Sequence, residues 1–218
     1  MTSHYRLRVQ LPDRPGAMAA MANVLAGAGA NVVRLDVHDL DGPLVVDDIV
    51  VAFDGDPDHV GALLAAAGAG ELTAWRSETS TADSVVRVLD WARGVVQAGI
   101  GYDDLELSRA LLGVCSADVS WVATLAEAAA GTSSLVQTAI ESGRPQLERV
   151  DVLPDVLVSN DGAPAWVAAI VDRSDNPHLV ALVARHRPDR FTSTELARAS
   201  SLLALHRELA PPRVPLGT

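Results

Sequence analysis

The stretch Tyr5-Arg6-Leu7-Arg8-Val9-Gln10-Leu11-Pro12-Asp13-Arg14-Pro15-Gly16 decides the fold of the first part of the chain. Tyr5, Leu7, Val9 and Leu11 alternate with Arg6, Arg8 and Gln10, the two-residue period of a strand buried on one face. Asp13-Arg14-Pro15-Gly16 is a turn cluster, and proline is preset for a first helical turn. Met18, Met21, Val24, Leu25 and Ala28 then recur at helical spacing, and Gly27 and Gly29 end that helix. Asn31 opens a second strand through Val32, Val33, Leu35 and Val37. Asp39-Leu40-Asp41-Gly42 predicts a hairpin turn, and Leu44 to Phe53 a third strand. Asp56-Pro57-Asp58 caps a second helix carrying Val60, Leu63, Leu64 and Ala67, which Gly68 and Gly70 stop. Leu72, Ala74 and Arg76 follow as a fourth strand. Strand, helix, strand, strand, helix, strand is the ferredoxin-like split βαβ order. It predicts an α+β domain with two crossover helices on one face of an antiparallel sheet.

Ser77-Glu78-Thr79-Ser80-Thr81 is short and polar and is expected to be a linker. The domains expected are residues 1–79 and 80–210, with a flexible tail at 211–218 that holds three prolines. The second part opens with an amphipathic helix through Val85, Val86, Leu89, Trp91, Ala92 and Val96, capped by Ser80 or Thr81. A helix from Tyr102 through Leu111 and a strand from Val119 to Leu125 come next. Ser133 or Ser134 caps a helix that ends at Gly143. Strands are expected at Leu147 to Val152, Trp166 to Val171 and Leu179 to Ala184, and Thr192 or Ser193 caps a closing helix.

The chain has 218 residues and a formal net charge of −11. Hydrophobic residues make up 49% and charged residues 21%, enough to bury a core and too apolar for a disordered chain. All the basic residues are arginine. The acidity argues against nucleic-acid partners and against anionic membrane surfaces. No apolar run is long enough to cross a bilayer and no signal-peptide core follows Met1, so the expected location is cytoplasmic. Cys115 is the only cysteine, which excludes an intrachain disulfide, a cysteine zinc site and a two-cysteine redox cycle within one chain. Its neighbours Leu112, Gly113 and Val114 favour a buried, inert thiol.

Residues 4–79 resemble the ACT domain, a small-molecule sensor used mostly for amino acids. The resemblance rests on Asp13-Arg14-Pro15-Gly16, on Ala28-Gly29-Ala30-Asn31-Val32, on the spacing from Gly16 to Asn31, and on the element order. Residues 82–209 resemble a GAF domain, an antiparallel sheet flanked by helices. Here the carriers are Ser133-Ser134-Leu135, Ile140-Glu141-Ser142-Gly143-Arg144-Pro145, Val150-Asp151-Val152, Leu182 to Pro188 and Phe191 to Leu196. The segment after Leu125 is short for that family, and the cyclic-nucleotide-binding residues are missing.

The loop at Gly16 has a physical case of its own. A helix start leaves backbone N–H groups without partners at the positive end of the helix dipole, where a carboxylate can sit. Gly16 lets a ligand approach the backbone. Asp13 can accept from an ammonium group, and Asn31 both donates and accepts. The expected ligand-binding residues are Asp13, Arg14, Gly16, Ala17, Met18, Asn31 and Val32. The ACT resemblance implies that the site lies between two such domains, so that one chain holds half of it.

Other constellations fail on their own terms. Asp39, Asp41, Gly42 and Asp48 fit a calcium loop only if Val37 takes the first ligand position, which it cannot do. Gly27-Ala28-Gly29 and Gly68-Ala69-Gly70 follow helices and not strands, so they are helix stops and not dinucleotide loops. No Gly-x-Ser-x-Gly elbow is present, and a chain without lysine has no Walker lysine. His178 and His186 are expected to be structural or surface residues. Trp121 and Trp166 are candidates to line a GAF-type pocket, with core packing as the plainer role. The sequence therefore predicts a non-enzymatic regulatory protein that senses a small molecule, most simply an amino acid. It predicts no metal or cofactor, a homo-oligomer with the dimer as its simplest form, and a protein target not identified by the sequence. The second reading is a dimerisation module with no bound ligand.

Overall fold

The predicted N-terminal alternation folds as β1 (Ser3–Pro12), and the next elements are α1 (Ala17–Gly27), β2 (Asn31–His38), β3 (Leu44–Phe53), α2 (Pro57–Ala66) and β4 (Leu72–Ser77). This computed structural model describes residues 3–38, 44–66, 72–77, 84–98, 104–129, 134–157, 163–172, 179–186 and 190–209. The predicted hairpin turn at Asp39–Gly42, the Gly68 and Gly70 stops, the Glu78–Thr81 linker, Tyr102, Ser133, His178 and the tail lie outside the described residues. Two compact units divide the chain: Met1–Ala82 with Thr192–Thr194, and Asp83–Phe191 with Glu195–Thr218.

In the first unit the sheet order is β2-β3-β1-β4, antiparallel throughout. Leu7, Val9 and Leu11 of β1 join Ile49, Val51 and Phe53 of β3 under Met21 and Leu25 of α1 and Val60 and Leu64 of α2. Those helical positions are the ones the 3.6-residue period picks out. Gly29, at φ 79°, takes the left-handed conformation that closes α1. Asp56 caps α2 by accepting from the Asp58 N–H at 3.0 Å.

The expectation that β1 is buried on one face only is corrected. Arg6 and Arg8 on its polar face are 7% and 3% exposed. Arg8 lies directly opposite Asp48 and pairs with it through Nε and Nη2, both at 2.7 Å, so a neutralised pair is buried where alternation predicted a wet face. His38 Nε2 also reaches Asp48 Oδ2, at 3.2 Å.

The second unit contains α3 (Ser84–Ala98), α4 (Asp104–Cys115), β5 (Val119–Thr124), α5 (Leu125–Ala129), α6 (Ser134–Ser142), β6 (Gln146–Val150), β7 (Ala165–Val171), β8 (Leu179–Arg185) and α7 (Ser193–Leu209). Its antiparallel sheet has the order β5-β8-β7-β6. One face packs Ala168, Ile170, Ala181 and Val183 against Leu107, Leu111, Leu202 and Leu203 of α4 and α7. The other packs Val167, Ala169, Val180 and Leu182 against Ala128, Leu135, Val136 and Ala139 of α5 and α6. The whole is α+β, as expected.

Two strands end earlier than expected. Leu125 is not the end of a strand but the start of α5. Thr124 caps that helix: Glu127 Oε2 accepts from Thr124 N–H (2.9 Å) and Oγ1 (2.7 Å), while the Glu127 N–H donates to Thr124 Oγ1 at 3.3 Å. This Thr-x-x-Glu capping box is present in the sequence. The strand expected to reach Val152 stops at Val150.

Candidate ligand site

Gly16 is the N-cap of α1, at φ 90° and ψ −12°, a conformation that glycine adopts without strain. No side chain caps this terminus, and its first turn carries no acid. Nothing lies within 4 Å of where a side chain at Gly16 would begin. The Ala17 N–H bonds to the Arg14 carbonyl at 3.3 Å, and the Gly16 carbonyl accepts from Ala20 at 3.0 Å. Asp13, Arg14 and Gly16 are exposed, while Ala17 and Met18 are half-buried against the core. The result is an open helix N-terminus whose dipole favours an anion.

Asn31 and Val32 are exposed as well, but they begin β2 beyond the other end of α1. Eleven helical residues at a rise of roughly 1.5 Å each put the two ends about 16 Å apart. One chain thus brings Asp13, Arg14, Gly16, Ala17 and Met18 together and leaves Asn31 and Val32 at a distance no single amino acid spans.

The Asn31 end opens onto a cavity of about 650 Å³ lined by Asn31, Asp54, Gly55, Asp56 and His59, with Ala28, Gly29, Ala52 and Phe53. Asp54, Gly55 and His59 were not picked out from the sequence, and Asp56 only as a cap. Gly55 has a steric reason to be glycine, since a Cβ there would collide with the Phe53 ring.

The acidic pair Asp47 and Asp48 does not converge on a common point. Asp48 is on the sheet face opposite α1 and α2, held by Arg8 and His38. Burial alone would raise its carboxyl, but the hydrogen bonds from Arg8 and His38 outweigh burial and hold it well below the usual carboxylate range. Asp47 is opposite Val9 and so on the core face. Burial pushes its carboxyl up, the positive field of His38 pulls it down, and the Asp48 charge adds to the rise. Among the described residues no three His, Cys, Asp or Glu side chains are grouped to hold a metal.

In the second unit Trp121 and Trp166 do not line one pocket. Trp121 is opposite Leu182 and Trp166 opposite Arg185, three residues apart on β8, so the two indoles lie on opposite faces of the sheet. Trp121 packs with the α5–α6 face and Trp166 with the α4–α7 face, under the Arg149 guanidinium at 5.7 Å. Cys115 is fully buried, and burial together with the charge of Glu195 raises its thiol far out of the reactive range. Arg185 and Glu195 form a buried pair at 2.7 Å beside it, with the guanidinium 4.3 Å over the Phe191 ring. His186 donates its backbone N–H to Asp118 at 2.9 Å.

Residues 5–69 match the family model of the ACT domain. The match spans the open N-terminus of α1, both ends of that helix and the Asn31 cavity. No curated protein matches the chain. Among solved structures, an unknown protein from Galdieria sulphuraria aligns at 11% identity over 95% of this chain and 94% of its own, with a TM-score of 0.34. A protein provisionally assigned as a glycine cleavage system transcriptional repressor aligns at 13% identity over 96% and 93%, with a TM-score of 0.30. A formyltetrahydrofolate deformylase from Pseudomonas putida aligns at 12% identity over 95% and 94%, with a TM-score of 0.31. At these scores the likenesses carry no functional argument. No helix among the described residues is long and apolar enough to cross a membrane.

Proposed function

We propose that this protein is a non-enzymatic sensor whose ACT domain binds a free amino acid between two copies of the chain. The observation that carries this is the terminus of α1: an uncapped, acid-free N-terminus behind a left-handed glycine with open space before it. In this reading the ligand carboxylate accepts from the N–H groups of the first turn, with Ala17 and Met18 as its floor. Asp13 takes the ammonium group. Asn31 and Val32 come from the partner chain, because about 16 Å separates the two ends of α1.

The second domain, expected over residues 80–210, is in this reading a GAF-like domain whose sheet is packed on both faces. It serves to transmit ligand occupancy to a target protein in the cytoplasm and takes no cofactor. The exposed apolar side chains of β2 also favour a second reading, a pairing module that works without ligand.

A thermal-shift panel of the twenty amino acids tests the proposal. A native-state ligand present at about a hundred times its Kd stabilises by about 2.7 kcal/mol. A flat panel up to millimolar concentrations contradicts amino-acid sensing and leaves the pairing reading.

A further inference from the structure

Asp47 is a charged residue in an apolar setting. It is 4% exposed, and its Oδ1 has no hydrogen-bond partner among the described residues. In β1 it faces Val9, and in β2 it faces Val37. Directly opposed residues share a face, so all three lie on the face that carries α1 and α2. Val45 and Ile49, two residues to either side on β3, share that face too. The side chains that the register sets around Asp47 are therefore apolar. Asp48 makes the contrast: on the other face, it is held by Arg8 and His38. A buried carboxylate is normally matched by a cation or by donors, and the Oδ1 of Asp47 has neither.

The position is buried but not deep. Val37, its neighbour across the ladder at a Cβ separation of about 5 Å, is 55% exposed. One strand thus separates Asp47 from open solvent. Asp47 is also near the end of the sheet from which α1 departs. It is level with Val9, three residues before β1 ends at Pro12, and three residues after β3 begins at Leu44. The uncapped first turn of α1 follows the loop that leaves this end.

We propose that Asp47 receives the side-chain cation of the ligand, and that the ligand is a basic amino acid of the lysine or arginine type. This rests on the sensing reading, in which the first turn of α1 holds the carboxylate and Asp13 the α-ammonium group. Those two groups are common to every amino acid, so the contacts to them set no preference. Asp47 supplies one. Three strand positions, about 10 Å, separate its level from the strand end that leads into the loop. A long aliphatic stem with a charged tip suits such a path, lying along apolar side chains and delivering its charge to the carboxylate. A neutral side chain of the same length leaves the carboxylate unmatched, and an acidic one sets a like charge beside it.

Two further observations agree. Burial pushes the Asp47 carboxyl up, so the free protein disfavours its charged form, and an arriving cation restores that form. The chain as a whole carries a net charge of −11, a field that draws cations toward it.

The test is calorimetric titration of the full chain with lysine and arginine, and with norleucine and citrulline as their neutral counterparts. The parent is expected to bind the better basic amino acid about ten- to a hundred-fold more tightly than its neutral counterpart, the range for one hydrogen bond to a charged group. Asp47→Asn keeps the size of the side chain and removes its charge. It is expected to abolish that preference while binding the neutral counterpart as the parent does. A merely structural role would weaken both members of the pair alike and leave their ratio unchanged.

A preference that survives in Asp47→Asn overturns the inference. So does a parent that binds a neutral or acidic amino acid more tightly than either basic one, and that result leaves the sensing reading standing. No binding by any of the twenty amino acids overturns both. An Asp47→Asn chain that does not fold by circular dichroism also counts against the inference, which holds that the fold does not need this charge.

Discussion

The central strands β3 and β8 solve the same packing problem differently. β8 is buried along its whole length, and Leu179 to Ala184 is wholly apolar, because helices cover both faces of its sheet. Its one charge, Arg185, is at the strand's end and is matched by Glu195. β3 is nearly as buried, yet it carries Asp47 and Asp48 side by side, one on each face. Asp48 is held by Arg8 and His38, and Asp47 sits in the core with its Oδ1 lacking a hydrogen-bond partner. The second unit uses both sheet faces for packing. The first keeps a charged face, an open helix terminus and a cavity, the features on which the proposed ligand site rests.

Breaking the charged face is expected to have the largest effect. Asp48→Ala leaves the Arg8 guanidinium buried without its carboxylate and is expected to lose about 3–5 kcal/mol in urea denaturation. Leu182→Ala makes the corresponding hole in the apolar sheet and is expected to lose about 2–5 kcal/mol. An Asp48→Ala loss below about 1 kcal/mol would mean that the charged face is dispensable.

Acidity separates the two faces further. The Asp48 carboxyl is lowered in the folded state, so its contribution is complete above the unfolded-state value of about 4 and is lost as the pH falls below it. Asp48→Asn is expected to flatten the acid limb of the stability profile, and Leu182→Ala to leave its shape unchanged. An unchanged limb in Asp48→Asn contradicts the assignment.

The effect at Gly16 is smaller. A side chain there has room but must hold a left-handed backbone, so Gly16→Ala is expected to lose about 1–2 kcal/mol. Asp47→Asn is the smallest change and has the opposite sign. Burial disfavours the ionised carboxylate, so the amide is expected to stabilise slightly at neutral pH, with the gain shrinking toward pH 4. Destabilisation would show that the Asp47 charge has a partner that matters.

Much of this was legible in the residues. The alternation from Tyr5 to Leu11, the turn at Asp13–Gly16 and the helical run from Met18 to Ala28 each have one physical solution, and β1 and α1 are built from them. What alternation does not carry is whether the polar face is wet. Arg8 and Asp48 are 40 residues apart, so their pairing depends on strand register. The Thr124–Glu127 capping box was legible but was outweighed by the apolar run before it. The cavity at Asn31 was hidden because its walls come from the turns after α1 and after β3, which share no local pattern. For the same reason the separation of Gly16 from Asn31 needed the helix between them to be placed.

The most direct test is calorimetric titration of the parent and of Asn31→Ala with whichever amino acid gives the largest thermal shift. Asn31 is exposed at a strand start, so its loss leaves the fold intact. The account predicts saturable binding by the parent and binding weaker by about 1.5–3 kcal/mol in Asn31→Ala, the value of a hydrogen bond to a charged group. Equal affinity in the two proteins would contradict a site built from the first turn of α1 and a partner's Asn31.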